Sequence, residues 1–121
     1  MDKAVILLVD DRKDLRELIR LNLEDLGQAV ALEAGSLADG LASVAKAKEI
    51  GVNVAILDGS LDYRGDTEDG HKIAEALRAA IPKITIISFS LSPQPITWGD
   101  YNIDKFQSNA INKIVSIIRH L

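Results

Sequence analysis

The chain has 121 residues, which at roughly 150 residues per domain corresponds to a single domain over residues 1–121. It contains no cysteine, so disulfide scaffolds, thiolate zinc sites and thiol nucleophiles are excluded. The net charge is −4 at pH 7, and residues 1–75 carry sixteen acidic and nine basic side chains, an acidic surplus that argues against direct nucleic-acid binding and suits a cation site.

The apolar residues recur with the periods of alternating strands and helices. Residues 4–9 form an apolar run typical of a buried strand; six residues cannot cross a bilayer, so we expect a cytoplasmic protein with no membrane partner. A helix follows, with Gly27 expected just after its end. The remaining predicted elements are a strand over 29–33, a helix from Ser36 to Gly51, a strand over 52–57, a helix that ends before Pro82, strands over 84–89 and 101–104, and a last helix with Ser108 as N-cap.

The stretch between the last two predicted strands is too rich in helix breakers for a long helix, since it contains Pro93, Pro95 and Gly99. We expect a loop there with few internal hydrogen bonds, in which Trp98 covers the core that a helix would otherwise cover. Alternating strands and helices predict right-handed βαβ units and a parallel sheet. The expected fold is α/β, a flavodoxin-like doubly wound (βα)5 fold with five strands in the order 2-1-3-4-5 and helix 4 short or absent.

Polar side chains stand where the predicted strands end: Asp10 and Asp11 after the first, Asp58 after the third, Ser90 after the fourth and Lys105 after the fifth. Carboxyl ends of parallel strands share one edge of the sheet, and the first and third strands flank the reversal of strand order. Three neighbouring carboxylates repel one another and favour a cation, and oxygen ligands suit Mg²⁺. A carboxylate beside Mg²⁺ can accept a phosphoryl group, whose oxygens an ammonium and a hydroxyl would contact.

The ordered set of these residues resembles the receiver domain of bacterial two-component response regulators over nearly the whole chain. Besides the residues above, Asp69-Gly70 at the start of a helix matches the family pattern. The resemblance implies that Asp58 takes a phosphoryl group from a histidine kinase or phosphotransfer protein. It also implies a signalling domain that catalyses only its own phosphoryl transfer and slow hydrolysis. The sequence does not identify the output partner. It also leaves open whether the chain forms a homodimer.

The resemblance also assigns roles around the metal. It implies that Asp11 and Asp58 bind Mg²⁺ directly, Asp10 through water and Ser60 through its backbone carbonyl. Ser90 and Lys105 would contact the phosphoryl group, with Ser88 as a weaker candidate for the hydroxyl.

The chain departs from the family pattern in ways that concern the signalling face more than the chemistry. The loop from Asp58 to Asp69 is longer than usual, and the span before Lys105 is shorter. Phe106 follows the lysine where the family has proline, so we expect a trans peptide bond and a slightly moved lysine. Leu91 replaces a small residue and should narrow access to the phosphoacceptor. Asn102 replaces an aromatic residue, with Tyr101 one place earlier.

Other functions fit parts of the sequence. A receiver-like interaction scaffold that no longer uses phosphorylation is favoured by the short fourth helix, Leu91 and Phe106, and opposed by the acidic residues, Ser90 and Lys105. A phosphatase with an aspartate nucleophile commonly has a second aspartate two residues later, where Ser60 stands here. A dinucleotide enzyme is disfavoured, because no glycine-rich loop follows the first strand.

Overall fold

The computed structural model describes residues 4–61, 68–91 and 96–121. Five parallel strands form one sheet in the order β2-β1-β3-β4-β5, which confirms the predicted fold. None of the helices in these ranges has the length and apolar character needed to cross a membrane. The elements are β1 Val5–Val9, α1 Lys13–Glu24, β2 Ala29–Ala34, α2 Leu37–Ala42, α3 Val44–Ile50, β3 Val54–Leu57, α4 Glu68–Ala80, β4 Thr85–Ser90, β5 Tyr101–Asp104 and α5 Ala110–Arg119.

The sheet is buried on both faces, because successive side chains of a strand point to opposite sides. On one face Ile6 and Leu8 pack with residues of α1 and α5, including Ile114. On the other face Leu7 and Val9 pack with residues of α3 and α4. Each fully buried aliphatic side chain contributes about 1.5–3 kcal/mol, so both helical layers are held by the central strands.

Two helix ends follow local sequence signals, and one predicted helix is divided. Gly27 adopts a left-handed φ of 76° after α1, and its amide donates to the Glu24 carbonyl, as predicted. Ser36 caps α2 by accepting from the amide three residues later at 3.1 Å, also as predicted. The helix predicted from there to Gly51 is divided at Ser43, whose hydroxyl donates to a backbone carbonyl three residues back.

The connection between β5 and α5 differs from expectation at its helix cap. The N-cap of α5 is Asn109 and not Ser108, and Asn109 has a φ of 61° and no side-chain capping bond. Asparagine enters this left-handed region more readily than most residues, so the backbone turn fixes the start of the helix. The peptide bond between Lys105 and Phe106 is trans, as predicted, and the described ranges contain no cis bond.

In place of a fourth crossover helix, residues 96–100 form an irregular segment along β4, while residues 92–95 lie outside the described residues. The Asp100 amide donates to the Ile86 carbonyl at 2.8 Å, and the Asp100 carboxylate accepts from the Ile86 amide at 2.7 Å. Asn102 Oδ1 accepts from Gly99 N at 2.9 Å. The expected absence of a long helix is confirmed for the described part. The hydrogen bonds described here join the segment to β4 and β5 and do not lie within it, so they leave the expectation of few internal hydrogen bonds standing.

A polar pair joins β4 to β5 beside this segment. Ser88 is fully buried, and its hydroxyl donates to Asn102 Oδ1 at 2.8 Å, so its hydrogen-bonding capacity is satisfied without a covering helix. Trp98 packs against the α3–α4 core, which confirms its predicted covering role.

Candidate functional site

The candidate site lies at the carboxyl edge of the sheet between β1 and β3. These strands are neighbours, with Val9 paired to Leu57, and their following helices pack on opposite faces. The Asp58 amide donates to the Val9 carbonyl at 2.8 Å, so this aspartate extends the ladder by one residue. Asp10 continues β1 in the same way, with its amide bonded to the Ala34 carbonyl at 3.1 Å. The strand pairing therefore brings both carboxylates to one place, as the sequence predicts.

Three carboxylates converge at this edge. One oxygen from each of Asp10, Asp11 and Asp58 lies within 4.8 Å of the other two. Asp10 and Asp58 are only 1% and 4% exposed, whereas Asp11 is exposed. The Ser60 amide donates to Asp58 Oδ1 at 3.3 Å, which places the predicted Ser60 backbone beside the cluster. The donor set is all oxygen and carries an excess of negative charge, so it fits a hard divalent cation such as Mg²⁺.

Lys105 completes the cluster from β5. Its Nζ lies 2.8 Å from Asp10 Oδ2 and 3.3 Å from Asp58 Oδ2, and its side chain is 12% exposed. The ammonium also lies 5.4 Å from the centroid of the Phe89 ring, at cation–π distance. The Lys105 amide donates to the Ser90 carbonyl at 3.1 Å, which fixes the start of the side chain. The lysine thus reaches the carboxylates with Phe106 in place of proline.

Ser90 reaches the site, and the weaker candidate Ser88 does not. Ser90 is buried at the end of β4, where its hydroxyl acts to lower the pKa of the Asp58 carboxyl group. Its hydroxyl also lies 3.4 Å from the Leu91 carbonyl, at the long limit of a hydrogen bond. Ser88 is two residues earlier on the same strand, where its hydroxyl donates to Asn102.

Burial dominates the electrostatics of the two inner carboxylates. It raises the pKa of Asp58 from 3.8 to about 7, with the Asp10 charge acting in the same direction and Lys105 and Ser90 opposing it. Burial also raises the pKa of Asp10, against the hydrogen bond and charge of Lys105. The metal-free pocket therefore favours either a bound proton or a bound cation.

Gly70 shows why a glycine opens α4. Its amide donates to the Gly59 carbonyl at 2.9 Å. A Cβ at this position would overlap the Asp58 carbonyl oxygen and lie 2.8 Å from the Gly59 Cα. Only glycine allows this close approach, so the first turn of α4 rests directly on the backbone of the phosphoacceptor candidate.

Arg16 is a site residue that the sequence did not reveal. Its guanidinium donates to the Asp10 carbonyl oxygen and pairs with Glu33 of β2 at 3.3 Å. The side chain is 17% exposed, unusually low for arginine. It ties the turn after β1 to β2. Many surface arginines occupy a position one turn into a helix, so the sequence carried no signal that Arg16 belongs to the site.

The comparisons with known proteins agree on the fold. The sequence matches no protein-family model and no curated protein. A CheY-like response regulator receiver domain protein from Methanospirillum hungatei JF-1 superposes with a TM-score of 0.77 at 20% identity, covering 98% of this chain and 93% of that chain. The isolated receiver domain of RcsB from Salmonella enterica serovar Typhimurium, solved with the phosphomimetic BeF3−, gives 0.76 at 18% identity, with coverages of 98% and 90%. The chain has the fold of response regulator receiver domains.

A further neighbour bears on the chemistry of receiver domains. A response regulator protein from Burkholderia pseudomallei, solved with a phosphorylated aspartic acid and a calcium ion, superposes with a TM-score of 0.73 at 18% identity. The match covers 96% of this chain and 66% of that chain. In this chain the acidic cluster lies at the carboxyl edge of the sheet, and the described residues between β4 and β5 contain no helix.

Proposed function

We propose that residues 1–121 act as the phosphoacceptor receiver domain of a two-component response regulator. Asp58 accepts a phosphoryl group from a histidine kinase or phosphotransfer protein, with Mg²⁺ held by Asp10, Asp11, Asp58 and the Ser60 carbonyl. The observation that carries the proposal is the cluster of three carboxylates within 4.8 Å, joined by Lys105, on a receiver fold. The phosphorylated aspartic acid of the Burkholderia pseudomallei neighbour supports the same chemistry.

Each side chain of the pocket has a separate role in phosphoryl transfer. An ionised Asp58 oxygen attacks the phosphorus, the new P–O bond forms, and the P–N bond to the donor histidine breaks. Lys105 Nζ, already 3.3 Å from Asp58 Oδ2, contacts a phosphoryl oxygen, and the Ser90 hydroxyl donates to another. Bound Mg²⁺ supplies positive charge for the phosphoryl oxygens and for the ionised carboxylates. The domain thereby acts on itself as a signalling unit and turns over no separate substrate.

A groove beside the pocket supports a protein donor. It has a volume of about 560 Å³ between α1 and the start of α5 and includes Lys105 in its lining. Its wall carries exposed apolar side chains, of which Phe106 is 80% exposed and Leu18 and Leu91 are about half exposed. Exposed apolar groups beside a reactive residue suit the apolar face of a docking helix. We propose that the donor protein binds there.

The proposal is tested by intact-mass measurement after incubation with acetyl phosphate and Mg²⁺. Wild type should gain one phosphoryl group, and Asp58→Asn should gain none. Chelation of the metal should abolish the gain in wild type. Asp25→Asn, which changes an exposed aspartate at the end of α1, is the matched control and should behave as wild type. A folded wild-type protein that gains no mass would contradict the proposal.

A phosphorylation-independent scaffold is the second candidate. It is favoured by the side chain that faces Ser88. That residue is Asn102, which accepts a hydrogen bond from the Ser88 hydroxyl, and β5 has no aromatic residue on the sheet face of Ser88 and Ser90 that could respond to phosphorylation. Tyr101 alternates with Asn102 and lies on the face of Ile103, which packs towards α5. The intact-mass experiment separates the two functions, because a phosphorylation-independent scaffold predicts that wild type gains no phosphoryl group.

A further inference from the structure

Trp98 lies in the irregular segment between β4 and β5, and its ring contacts the beginning of α4. Its ring stacks on the ring of His71, with centroids 5.9 Å apart and planes within 3° of parallel. Its Cη2 atom would lie 3.0 Å from a Cβ placed on Gly70. The indole therefore packs against the first turn of α4 over two consecutive residues.

The inside of the same turn rests on the phosphoacceptor backbone. The Gly70 amide is bonded to the Gly59 carbonyl at 2.9 Å, and the Gly70 Cα lies against the Asp58 carbonyl. The Asp58–Gly59 backbone and the Trp98 ring thus meet around one point, where a side chain at position 70 would project. A shift of Gly70 would move the backbone that carries the reacting carboxylate.

The ring is itself held in place from two sides. Arg78 Nη1 donates to the Trp98 carbonyl at 2.7 Å, and Arg78 Nη2 pairs with Asp100 at 3.5 Å. Asp100 is bound in turn to both backbone groups of Ile86. The indole Nε1 is buried and has no hydrogen-bond partner among the described residues. The ring therefore acts on Gly70 through its shape and not through its N–H group.

We propose that Trp98 is a positioning residue, whose ring packs at the junction of Gly70 and the Asp58–Gly59 backbone and clamps the two together. This rests on the proposed function insofar as the clamp serves phosphoryl transfer. A displacement of about 1 Å at a reacting group can cost a hundredfold in rate, so Trp98→Ala should slow phosphorylation by about tenfold to a hundredfold. The loss should appear in the maximal rate with acetyl phosphate and not in its KM. Trp98→Phe keeps an aromatic ring but lacks the Cη2 atom that approaches Gly70, so it should recover only part of the rate.

The test measures two quantities on the whole chain. Hydrogen exchange of the Gly70 amide reports the clamp, and phosphoryl gain from acetyl phosphate reports the reaction. Ile118→Ala is the control, because Ile118 is buried in the other core near the end of α5. Urea unfolding of each variant gives its global stability, to which the exchange rates are referred. If Trp98→Ala does not fold, Trp98→Leu takes its place, and Ile118→Val replaces the control in the same case.

The proposal is supported if Trp98→Ala exposes the Gly70 amide and slows the reaction, while Trp98→Phe does both to a smaller extent and the Ile118 control does neither. It is overturned if Gly70 exchange changes no more than global stability explains, or if the amide opens and the rate stays at the wild-type value. A wild-type protein that gains no phosphoryl group would overturn the proposed function and the catalytic purpose of the clamp. The Gly70 exchange would still decide whether the clamp exists.

Discussion

Without a divalent cation, the buried carboxyl group of Asp58 should make the fold less stable as the pH rises. Burial raises its pKa from 3.8 to about 7 in the folded chain, so the folded state binds a proton more tightly than the unfolded state does. Stability is then highest below the unfolded pKa and is lost as the pH rises through the folded pKa. Above about pH 7 both states are ionised and the loss is complete.

The size of this loss follows from the two pKa values. The interval from 3.8 to about 7, at about 1.4 kcal/mol for each pH unit, corresponds to about 4 kcal/mol. Because the unfolded carboxyl group is already mostly ionised at pH 5, about 3 kcal/mol of the loss should fall between pH 5 and pH 8. Asp58→Asn has no titratable group at position 58. Its free energy of unfolding relative to wild type should therefore rise by about 3 kcal/mol between pH 5 and pH 8.

Equilibrium urea unfolding in the presence of a chelator measures the effect. Wild type, Asp58→Asn and the exposed control Asp25→Asn would be unfolded at pH values from about 5 to 8. The free-energy difference between wild type and Asp58→Asn should widen with pH, whereas Asp25→Asn should follow wild type. Added Mg²⁺ should reduce the difference at the high end. A difference that is constant with pH, or that narrows as the pH rises, would refute the reasoning from burial.

Three further outcomes are expected. Mg²⁺ at a hundredfold excess over its Kd should stabilise wild type by about 2.7 kcal/mol. In thermal melting the same Mg²⁺ should leave Asp11→Ala unchanged, and equal shifts of the two melting temperatures would contradict a site at Asp11. Lys105→Met should slow phosphoryl gain from acetyl phosphate by about a hundredfold in a mass time course, because a phosphoryl oxygen loses its ammonium, and a wild-type rate would refute that role. Asp100→Ala should destabilise the fold by about 1–3 kcal/mol in urea, because the buried Ile86 amide loses its acceptor. Asp100→Asn keeps an acceptor oxygen, so equal stabilities of the two variants would argue against the hydrogen bond.

The fold and the meeting of the predicted polar residues at one edge of the sheet follow from the sequence alone. Parallel strands bring the residues that follow them to one edge, so Asp10, Asp58, Ser90 and Lys105 could be placed together without any knowledge of side-chain contacts. Local signals were also sufficient where one turn of backbone decides the outcome, as at Gly27. They were insufficient at Ser108, because the left-handed backbone of Asn109 moved the start of α5.

Only the tertiary structure decided how the site is held. The bond from Arg16 to the Asp10 carbonyl, the contact of Gly70 with the Asp58 backbone and the stacking of Trp98 on His71 join residues that are distant in the chain or carry no periodic pattern. Hydrophobic periodicity reports which face of an element is buried, but a bond from a side chain to a remote backbone group leaves no such period. The same reason explains why residues 98–100 are bound to α4 and to the strands, although Pro93, Pro95 and Gly99 predict only the absence of a helix.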